Sequence, residues 1–181
     1  MRVFVALELP QKTRDNLARS AEQMKHYCSR GNWVEKDNYH VTLHFLGEVA
    51  ESDLLFAISA MDQIKNLPAM TLALHQFSVW RGSDVVCCKL RKDNSLAQLQ
   101  RQLGERLESN GFDVDHRPFR PHVTVCRKGT FELPFSEVTK SVDVYNAPFK
   151  ASEVVLYQTV FVQGGVEYKE LYRVSLHPYE K

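Results

Sequence analysis

The chain has 181 residues, of which 44% are hydrophobic and 25% are charged. This composition is typical of a folded globular protein with a real core, and the length allows one domain. Lysine and arginine number 23 against 22 acidic residues, a formal net charge of +1. A protein that coats long nucleic acid by bulk charge is therefore excluded, because such binding needs many phosphate contacts. Recognition of one or two phosphates is not excluded.

Nothing in the sequence indicates a membrane or secreted protein. No stretch approaches the roughly 20 consecutive apolar residues of a membrane span, and the first strand reaches Glu8 too soon for a signal-peptide core. The four cysteines, Cys28, Cys87, Cys88 and Cys126, include no Cys-x-x-Cys pair. This pattern favours reduced thiols over disulfides or a zinc site. We therefore expect a cytoplasmic protein that does not contact a membrane.

Apolar periodicity predicts strands and single helices in alternation. Pro10 fits the first turn of the first helix, Cys28 extends its buried face, and Asp93 and Gly111 fit the start and end of the third helix. In chain order we predict a strand at 3–7, a helix from Pro10 to about Tyr27, a strand at 39–46, a helix at 54–64, extended runs at 70–80 and 85–90, a helix at 95–107, a strand at 122–127, and strands at 154–162 and 168–176 that flank a Gly164-Gly165 turn.

The order of these elements indicates the fold class. Strands come mostly in hairpins with helices between them, which favours an α+β fold of antiparallel sheets with outer helices over a parallel doubly wound sheet. The chain has no Gly-x-Gly-x-x-Gly string and no phosphate loop that ends in Gly-Lys-Ser/Thr. A Rossmann or P-loop nucleotide enzyme is therefore not expected.

One short motif occurs twice, as His40-Val41-Thr42-Leu43 and as His122-Val123-Thr124-Val125, each with glycine seven residues after the histidine. Composition alone produces two such strings in roughly one chain in a thousand, so we interpret the pair as functional. In a strand the histidine and threonine share one face while the apolar residues point to the core. The alternative is two ordinary half-buried strands with solvent-facing polar residues.

Two such strands across a cleft suit displacement at phosphorus. Imidazole titrates near pH 6.5, so one histidine can take a proton from the nucleophile while the other protonates the leaving oxygen. The threonine hydroxyls can donate to the non-bridging oxygens, where charge develops. We predict that His40 and His122 are catalytic and that Thr42 and Thr124 bind the substrate.

A third histidine, His44, would share the face of His40 and Thr42 by strand alternation. His40, His44 and His122 would then be three possible zinc ligands. Because the spacing lies in a strand pattern and lacks the glutamate of a helical His-Glu-x-x-His motif, we expect no metal.

Positive charge is concentrated beside the second motif. The segment from His116 to Lys128 contains four cations and no acidic residue, which predicts charge-assisted contacts to one or two phosphates. A solvated basic edge is the alternative for Arg117 and Lys128. Arg127 would point away from the catalytic face by alternation, so its use requires a bulge or a strand end.

Four aromatic residues are candidates to stack on a base: Trp33, Trp80, Tyr157 and Phe161. Packing in the core is the alternative for each.

Four parts of the chain resemble the 2H phosphoesterase superfamily and, within it, the RNA 2′,3′-cyclic phosphodiesterases that are also called 2′-5′ RNA ligases. The resemblance spans almost the whole chain, and the matching segments are Arg2-Val3-Phe4-Val5-Ala6-Leu7 through Leu9-Pro10, Asn38-Tyr39-His40-Val41-Thr42-Leu43 with Phe45-Leu46-Gly47-Glu48-Val49, Pro118-Phe119-Arg120-Pro121-His122-Val123-Thr124 with Arg127, and Leu156-Tyr157. His44 departs from the pattern, since relatives often carry a small residue there.

This resemblance implies one bilobed domain over residues 1–181, with two antiparallel sheets and outer helices related by a pseudo-twofold axis and an active cleft between the lobes. It implies hydrolysis of RNA 2′,3′-cyclic phosphate ends, including those of tRNA fragments, to 2′-phosphates without metal or cofactor, and a weak reverse 2′-5′ ligation. It also implies that Arg127 contacts phosphate and that Phe45 lies near the nucleoside. We expect a monomer.

Two other functions fit the same residues. A non-catalytic module that binds RNA ends would use the basic segment and the aromatics but would not need two acid–base imidazoles. A cyclic phosphodiesterase for a small nucleotide or an ADP-ribose derivative would use the same four motif residues.

Overall fold

A computed structural model describes residues 1–178, so the last three residues of the expected domain lie outside the described residues. Short 3-10 turns occur at Lys36–Asn38, Glu51–Asp53 and Thr139–Ser141. The strands and helices are β1 (Arg2–Glu8), α1 (Gln11–Lys25), β2 (Cys28–Trp33), β3 (His40–Glu48), α2 (Leu54–Asp62), β4 (Met70–Leu72), β5 (Leu74–Trp80), β6 (Val85–Leu90), α3 (Asn94–Ser109), β7 (His122–Phe131), α4 (Phe135–Val138), β8 (Phe149–Ala151), β9 (Glu153–Val162) and β10 (Gly165–Ser175).

Two four-stranded antiparallel sheets form the two lobes. Sheet A has the strand order β10-β9-β1-β3, and sheet B has the order β2-β7-β6-β5. Helices α2 and α3 contact sheet A, and α1 contacts β2 of sheet B. The predicted α+β fold with antiparallel sheets and outer helices is confirmed. Strands β4 and β8 form an additional two-stranded sheet that the sequence did not indicate.

Several predicted elements have different bounds in the structure; the strands predicted at 122–127 and 168–176, for example, extend over His122–Phe131 and Gly165–Ser175. Helix α1 ends at Lys25, and the prediction that Cys28 extends its buried face is wrong, because Cys28 begins β2 and pairs with Phe131 of β7. Pro10 precedes the first helical residue. The extended run at 70–80 is two strands that belong to different sheets. Strand β2 was missed because its sequence, Cys-Ser-Arg-Gly-Asn-Trp, lacks apolar alternation.

The predicted start and end of α3 are confirmed, and the predicted Gly164-Gly165 turn contains Gly164, whereas Gly165 is the first residue of β10. The Asp93 carboxylate accepts a hydrogen bond from the Leu96 amide at 2.9 Å and so caps α3. Gly111 follows the helix with a φ of +93°, and Gly164 has a φ of +89° in the turn between β9 and β10. Both angles lie in the left-handed region that favours glycine.

Candidate active site

The two motif strands face one cleft of about 1150 Å³ between the lobes. His40 and Thr42 reach it from β3 of sheet A, and His122 and Thr124 reach it from β7 of sheet B. All four side chains are half-buried, whereas the intervening Val41 and its counterparts Leu43, Val123 and Val125 are buried. The strand alternation predicted from the motif is therefore present in both strands.

Both motif strands carry a β-bulge at the residue directly after the threonine. Leu43 is the extra residue at this bulge of β3, since Thr42 pairs with Ala6 and His44 pairs with Val5 of β1. Val125 is the extra residue of β7 in its pairing with β6. A bulge shifts the side-chain alternation by one residue. The fifth residue after each histidine therefore returns to the cleft.

The bulges bring two predicted residues to the cleft and remove one. Phe45 and Arg127 are both exposed and line the cleft, and the bulge at Val125 is the feature that the sequence analysis required for Arg127 to reach it. His44 lies on the opposite face of β3, so the expectation that it shares a face with His40 and Thr42 is wrong. The three imidazoles considered as zinc ligands are therefore not brought together.

His44 instead joins β3 to α3. It is 6% exposed, and its Nε2–H donates to the carbonyl oxygen of Gln100 at 2.7 Å. Burial lowers the pKa of His44 because the charged ring would lose its hydration. Gly104, one helical turn after Gln100, leaves the space for the ring, since a Cβ at that position would lie 2.9 Å from Cε1 of His44.

Gly104→Ala is expected to lower the free energy of unfolding by up to about 2 kcal/mol, because overpacking costs about 1 to 3 kcal/mol and alanine regains roughly 1 kcal/mol over glycine inside a helix. The measurement is urea denaturation. His44→Ala should reverse the sign of the Gly104→Ala effect, because the clash partner is removed. Equal effects of Gly104→Ala in both backgrounds would contradict the contact.

Matching hydrogen bonds orient the two motif histidines. Nδ1–H of His40 donates to the Asn38 carbonyl oxygen at 2.7 Å, and Nδ1–H of His122 donates to the Arg120 carbonyl oxygen at 2.7 Å. A carbonyl oxygen only accepts, so the neutral rings carry their proton on Nδ1 and leave Nε2 as the acceptor. In His40 this Nε2 accepts from the Thr42 hydroxyl at 2.9 Å. Both acceptors are backbone carbonyl oxygens, which every residue has, so residue types in the sequence could not predict these two hydrogen bonds.

Both imidazoles resist protonation in the free protein. Burial lowers the pKa of His40 to about 4, against a smaller opposing effect of its hydrogen bond to the Asn38 carbonyl. Burial also lowers the pKa of His122. The positive charge of Arg127 lowers both pKa values further, and a charge on His122 lowers that of His40. The site therefore holds two imidazoles beside the guanidinium of Arg127.

Aromatic side chains pack against each imidazole. The ring of His40 lies 5.0 Å from that of Phe4 and 5.2 Å from that of Tyr168, centroid to centroid. The indole of Trp80 lies 4.3 Å from the His122 ring at an interplanar angle of 62°. Phe4 and Tyr168 were not predicted, although the period of β1 puts Phe4 on the face opposite to Val3 and Val5.

The other aromatic candidates occupy different places. Trp33 and Phe161 line the cleft, and Phe161 is 69% exposed. Tyr157 packs against Phe4, with ring centroids 5.5 Å apart. Trp80 contacts His122 but is not part of the cleft lining. The cleft thus has aromatic side chains from both sheets.

The basic segment divides into groups with different partners. Arg117 forms a 2.6 Å contact with Asp115, which lies just before the acid-free segment, so its guanidinium is engaged within the loop. Arg127 lines the cleft together with Arg2. Lys128 is exposed and has a φ of +54°. Of the cations in the segment, the one whose charge acts on both motif histidines is Arg127.

Some further features limit what the described residues hold. Between residues 1 and 178, no group of three or more His, Cys, Asp and Glu side chains is placed to bind a metal ion. Over the same span no helix combines the length and the apolar character needed to cross a membrane. Cys28 is half-buried, the other three cysteines are buried, and all four carry free thiols.

Comparison with known proteins places this site in a family. A family model described as the 2′-5′ RNA ligase superfamily matches residues 13–160. The chain is 32% identical over 178 residues to an RNA 2′,3′-cyclic phosphodiesterase of Escherichia coli K12, a match that covers 97% of this chain and 96% of that protein. It is 30% identical over 161 residues to an RNA 2′,3′-cyclic phosphodiesterase of Geobacillus stearothermophilus. That match covers 86% of this chain and 51% of the relative, so the chain spans about half of its length.

Solved structures show the same fold. The E. coli LigT complex with 3′-AMP superposes with a TM-score of 0.82 at 29% identity and covers 97% of both chains. TT0787 of Thermus thermophilus has a TM-score of 0.82 at 20% identity, with 99% of this chain and 100% of that chain covered, and it supports the fold alone. A two-lobed α+β fold with one His-x-Thr strand from each lobe defines a 2H phosphoesterase. Within that class, the chain belongs to the 2′-5′ RNA ligase superfamily.

Proposed function

We propose that this protein is an RNA 2′,3′-cyclic phosphodiesterase that hydrolyses cyclic phosphate ends to 2′-phosphates by acid–base catalysis with His40 and His122. The observation that carries the proposal is the pair of His-x-Thr strands that face one cleft with matching hydrogen bonds. The relatives named RNA 2′,3′-cyclic phosphodiesterase support the substrate class.

The proposed reaction needs two proton transfers at opposite ends of an in-line displacement. One imidazole takes a proton from water through Nε2 as the water oxygen attacks phosphorus. The bond between phosphorus and O3′ breaks, and the second imidazole, in its protonated form, gives its proton to O3′. The product is a 2′-phosphate with a free 3′-hydroxyl. When a 5′-hydroxyl replaces water as the nucleophile, the same displacement of O3′ gives a 2′-5′ linkage; this ligation is the reverse of cleaving a 2′-5′ linkage to a cyclic phosphate.

The other cleft residues would bind the phosphate and the nucleoside. Thr42 and Thr124 would donate to the non-bridging oxygens, and Arg127 would neutralise their charge. Phe45, which is 68% exposed, offers a face on which the terminal base can stack. A non-catalytic RNA-end module would not need two imidazoles with Nε2 as the acceptor.

The proposal includes the setting of the reaction. The bilobed domain would act as a monomer, in the cytoplasm, on RNA ends and tRNA fragments. Its four free thiols are compatible with a reducing compartment. The reaction as written uses no cofactor and no metal ion.

The test is the product formed from a dinucleotide that ends in a 2′,3′-cyclic phosphate, analysed for 2′- against 3′-phosphate with and without EDTA. The proposal requires the 2′-phosphate in both conditions. Binding without turnover would support the RNA-end module instead. Loss of activity in EDTA that zinc restores would support a metallohydrolase. Turnover confined to small cyclic nucleotides or ADP-ribose derivatives would instead support a cyclic phosphodiesterase that does not act on RNA.

The pH profile of kcat/KM is expected to be bell-shaped, with its maximum below pH 6.5. The active form of the free enzyme holds one proton on the histidine pair. Both pKa values lie below the usual 6.5, that of His40 at about 4, because burial disfavours the charged rings. The singly protonated pair is therefore lost as the pH rises toward neutral, and activity falls again below about pH 4 when both rings are charged. A maximum above about pH 7, measured at constant ionic strength, would contradict these shifts.

A further inference from the structure

We propose that a surface of strands β5 and β6 binds the RNA segment that precedes the terminal nucleotide, an inference that rests on the proposed function. This surface lies on the same face of sheet B as His122 and Thr124, but outside the cleft. This surface, the β5–β6 strip, consists of Gln76, Ser78 and Trp80 of β5 and Lys89 of β6. None of these four residues lines the cleft. The strip would make the enzyme prefer an RNA chain to a mononucleotide.

The strand register places the strip on the same face of sheet B as the motif residues. Lys89 lies directly opposite His122, and Gln76 lies directly opposite Lys89. Residues opposite each other in an antiparallel pair project on the same face. The backbone of Lys89 is therefore about 5 Å from that of His122, and that of Gln76 is about 10 Å away. Trp80 joins the strip to the site, since its indole packs on the His122 ring.

The strip is accessible and carries the groups that single-stranded RNA uses. Gln76 is exposed, and Ser78, Trp80 and Lys89 are half-buried. Single-stranded nucleic acid sites combine cations for the backbone, aromatic rings for stacking and polar side chains. Among residues 1–178, no carboxylate forms an ion pair with Lys89. Its ammonium group is therefore available for a phosphate.

The corresponding part of sheet A, beside His40 and outside the cleft lining, has the wrong charge for the same task. Glu8 lies directly opposite His40 in sheet A, as Lys89 lies opposite His122 in sheet B. Arg173 forms ion pairs with Glu8, Glu153 and Glu170, so three carboxylates surround one guanidinium. An RNA backbone that leaves the cleft beside His40 meets net negative charge. One that leaves beside His122 meets Lys89.

The strip is separable from the chemistry. The nearby charge that affects the pKa of His122 is that of Arg127, and Lys89 is not among the causes of that shift. Removing the Lys89 charge should therefore change how kcat/KM depends on the length of the RNA, and it should affect the acid–base step less. This difference allows the strip to be tested independently of the proposed function.

The experiment compares cytidine 2′,3′-cyclic phosphate with an octacytidylate that ends in the same group. We expect the wild-type protein to have the higher kcat/KM on the octanucleotide. Lys89→Gln should lower the ratio of kcat/KM on the octanucleotide to kcat/KM on the mononucleotide about threefold to fivefold, as for the loss of one exposed ionic contact. It should also reduce the slope of log kcat/KM for the octanucleotide against log salt by about 0.7, the value for one phosphate of a single strand.

A matched control and a binding assay complete the test. Lys150→Gln removes the same charge from the exposed face of β8, and should leave the ratio and the salt slope unchanged. Anisotropy with a 5′-labelled octanucleotide that ends in a 2′-phosphate measures binding without turnover. Weaker binding by Lys89→Gln, even in a protein that hydrolyses neither substrate, would support the strip while rejecting the proposed function. An unchanged ratio with unchanged binding would overturn the strip and leave the proposed function intact.

Discussion

Alanine at His40 or at His122 is expected to lower kcat on a cyclic-phosphate dinucleotide by about 10²- to 10⁴-fold, because each ring performs one of the two proton transfers. The loss should be similar at the two positions, and the double variant should lose little more than either single one, since the two groups act as a unit. Single-turnover assays with saturating enzyme measure the chemical step directly.

Folding must be separated from catalysis for these variants. His40 packs against Phe4 and Tyr168, so its truncation leaves a cavity, and His40→Gln and His122→Gln provide versions with less lost volume. Circular dichroism and Tm show whether each variant is folded. His26→Ala, at an exposed position after α1, is the histidine control and should keep wild-type kcat. A folded His40 or His122 variant with near-wild-type kcat would end the acid–base assignment.

Arg127→Gln is expected to lower kcat/KM about 10- to 100-fold, the effect of losing one hydrogen-bonding cation on a phosphate. It should also move the pH maximum upward. The guanidinium lowers the pKa of both motif histidines, so its removal raises both values and the singly protonated pair persists to higher pH. The pH profile of kcat/KM for the variant against that of the wild type measures both effects.

The matched control is the neighbouring cation. Lys128→Gln removes one positive charge from an exposed residue that is not part of the cleft lining. It should leave kcat/KM and the pH maximum close to wild type. Equal losses from the two substitutions would mean that general positive charge, and not the position of Arg127, supports the reaction.

Much of the fold followed from local patterns. Asp93 lies at the start of α3 and Gly111 just after its end, as their capping properties predict, and the apolar stripe of α3 is buried. Strand β2 and the split of the run at 70–80 were missed, because each depends on pairing with a strand far away in the chain. Cys28 was assigned to a helix for the same reason, since only its pairing with Phe131 distinguishes a strand start from another helical turn.

For the candidate site, the amino-acid sequence was sufficient to place His40 and Thr42 on one face of β3, and His122 and Thr124 on one face of β7, because side-chain alternation is a property of the local backbone. Which residues lie beyond the threonines could not be read from that alternation. A bulge depends on the neighbouring strand, and the bulges at Leu43 and Val125 turn Phe45 and Arg127 into the cleft and His44 out of it. The lowered pKa values of the two histidines also depend on the tertiary structure, because they arise from burial between two sheets whose strands are distant in the chain.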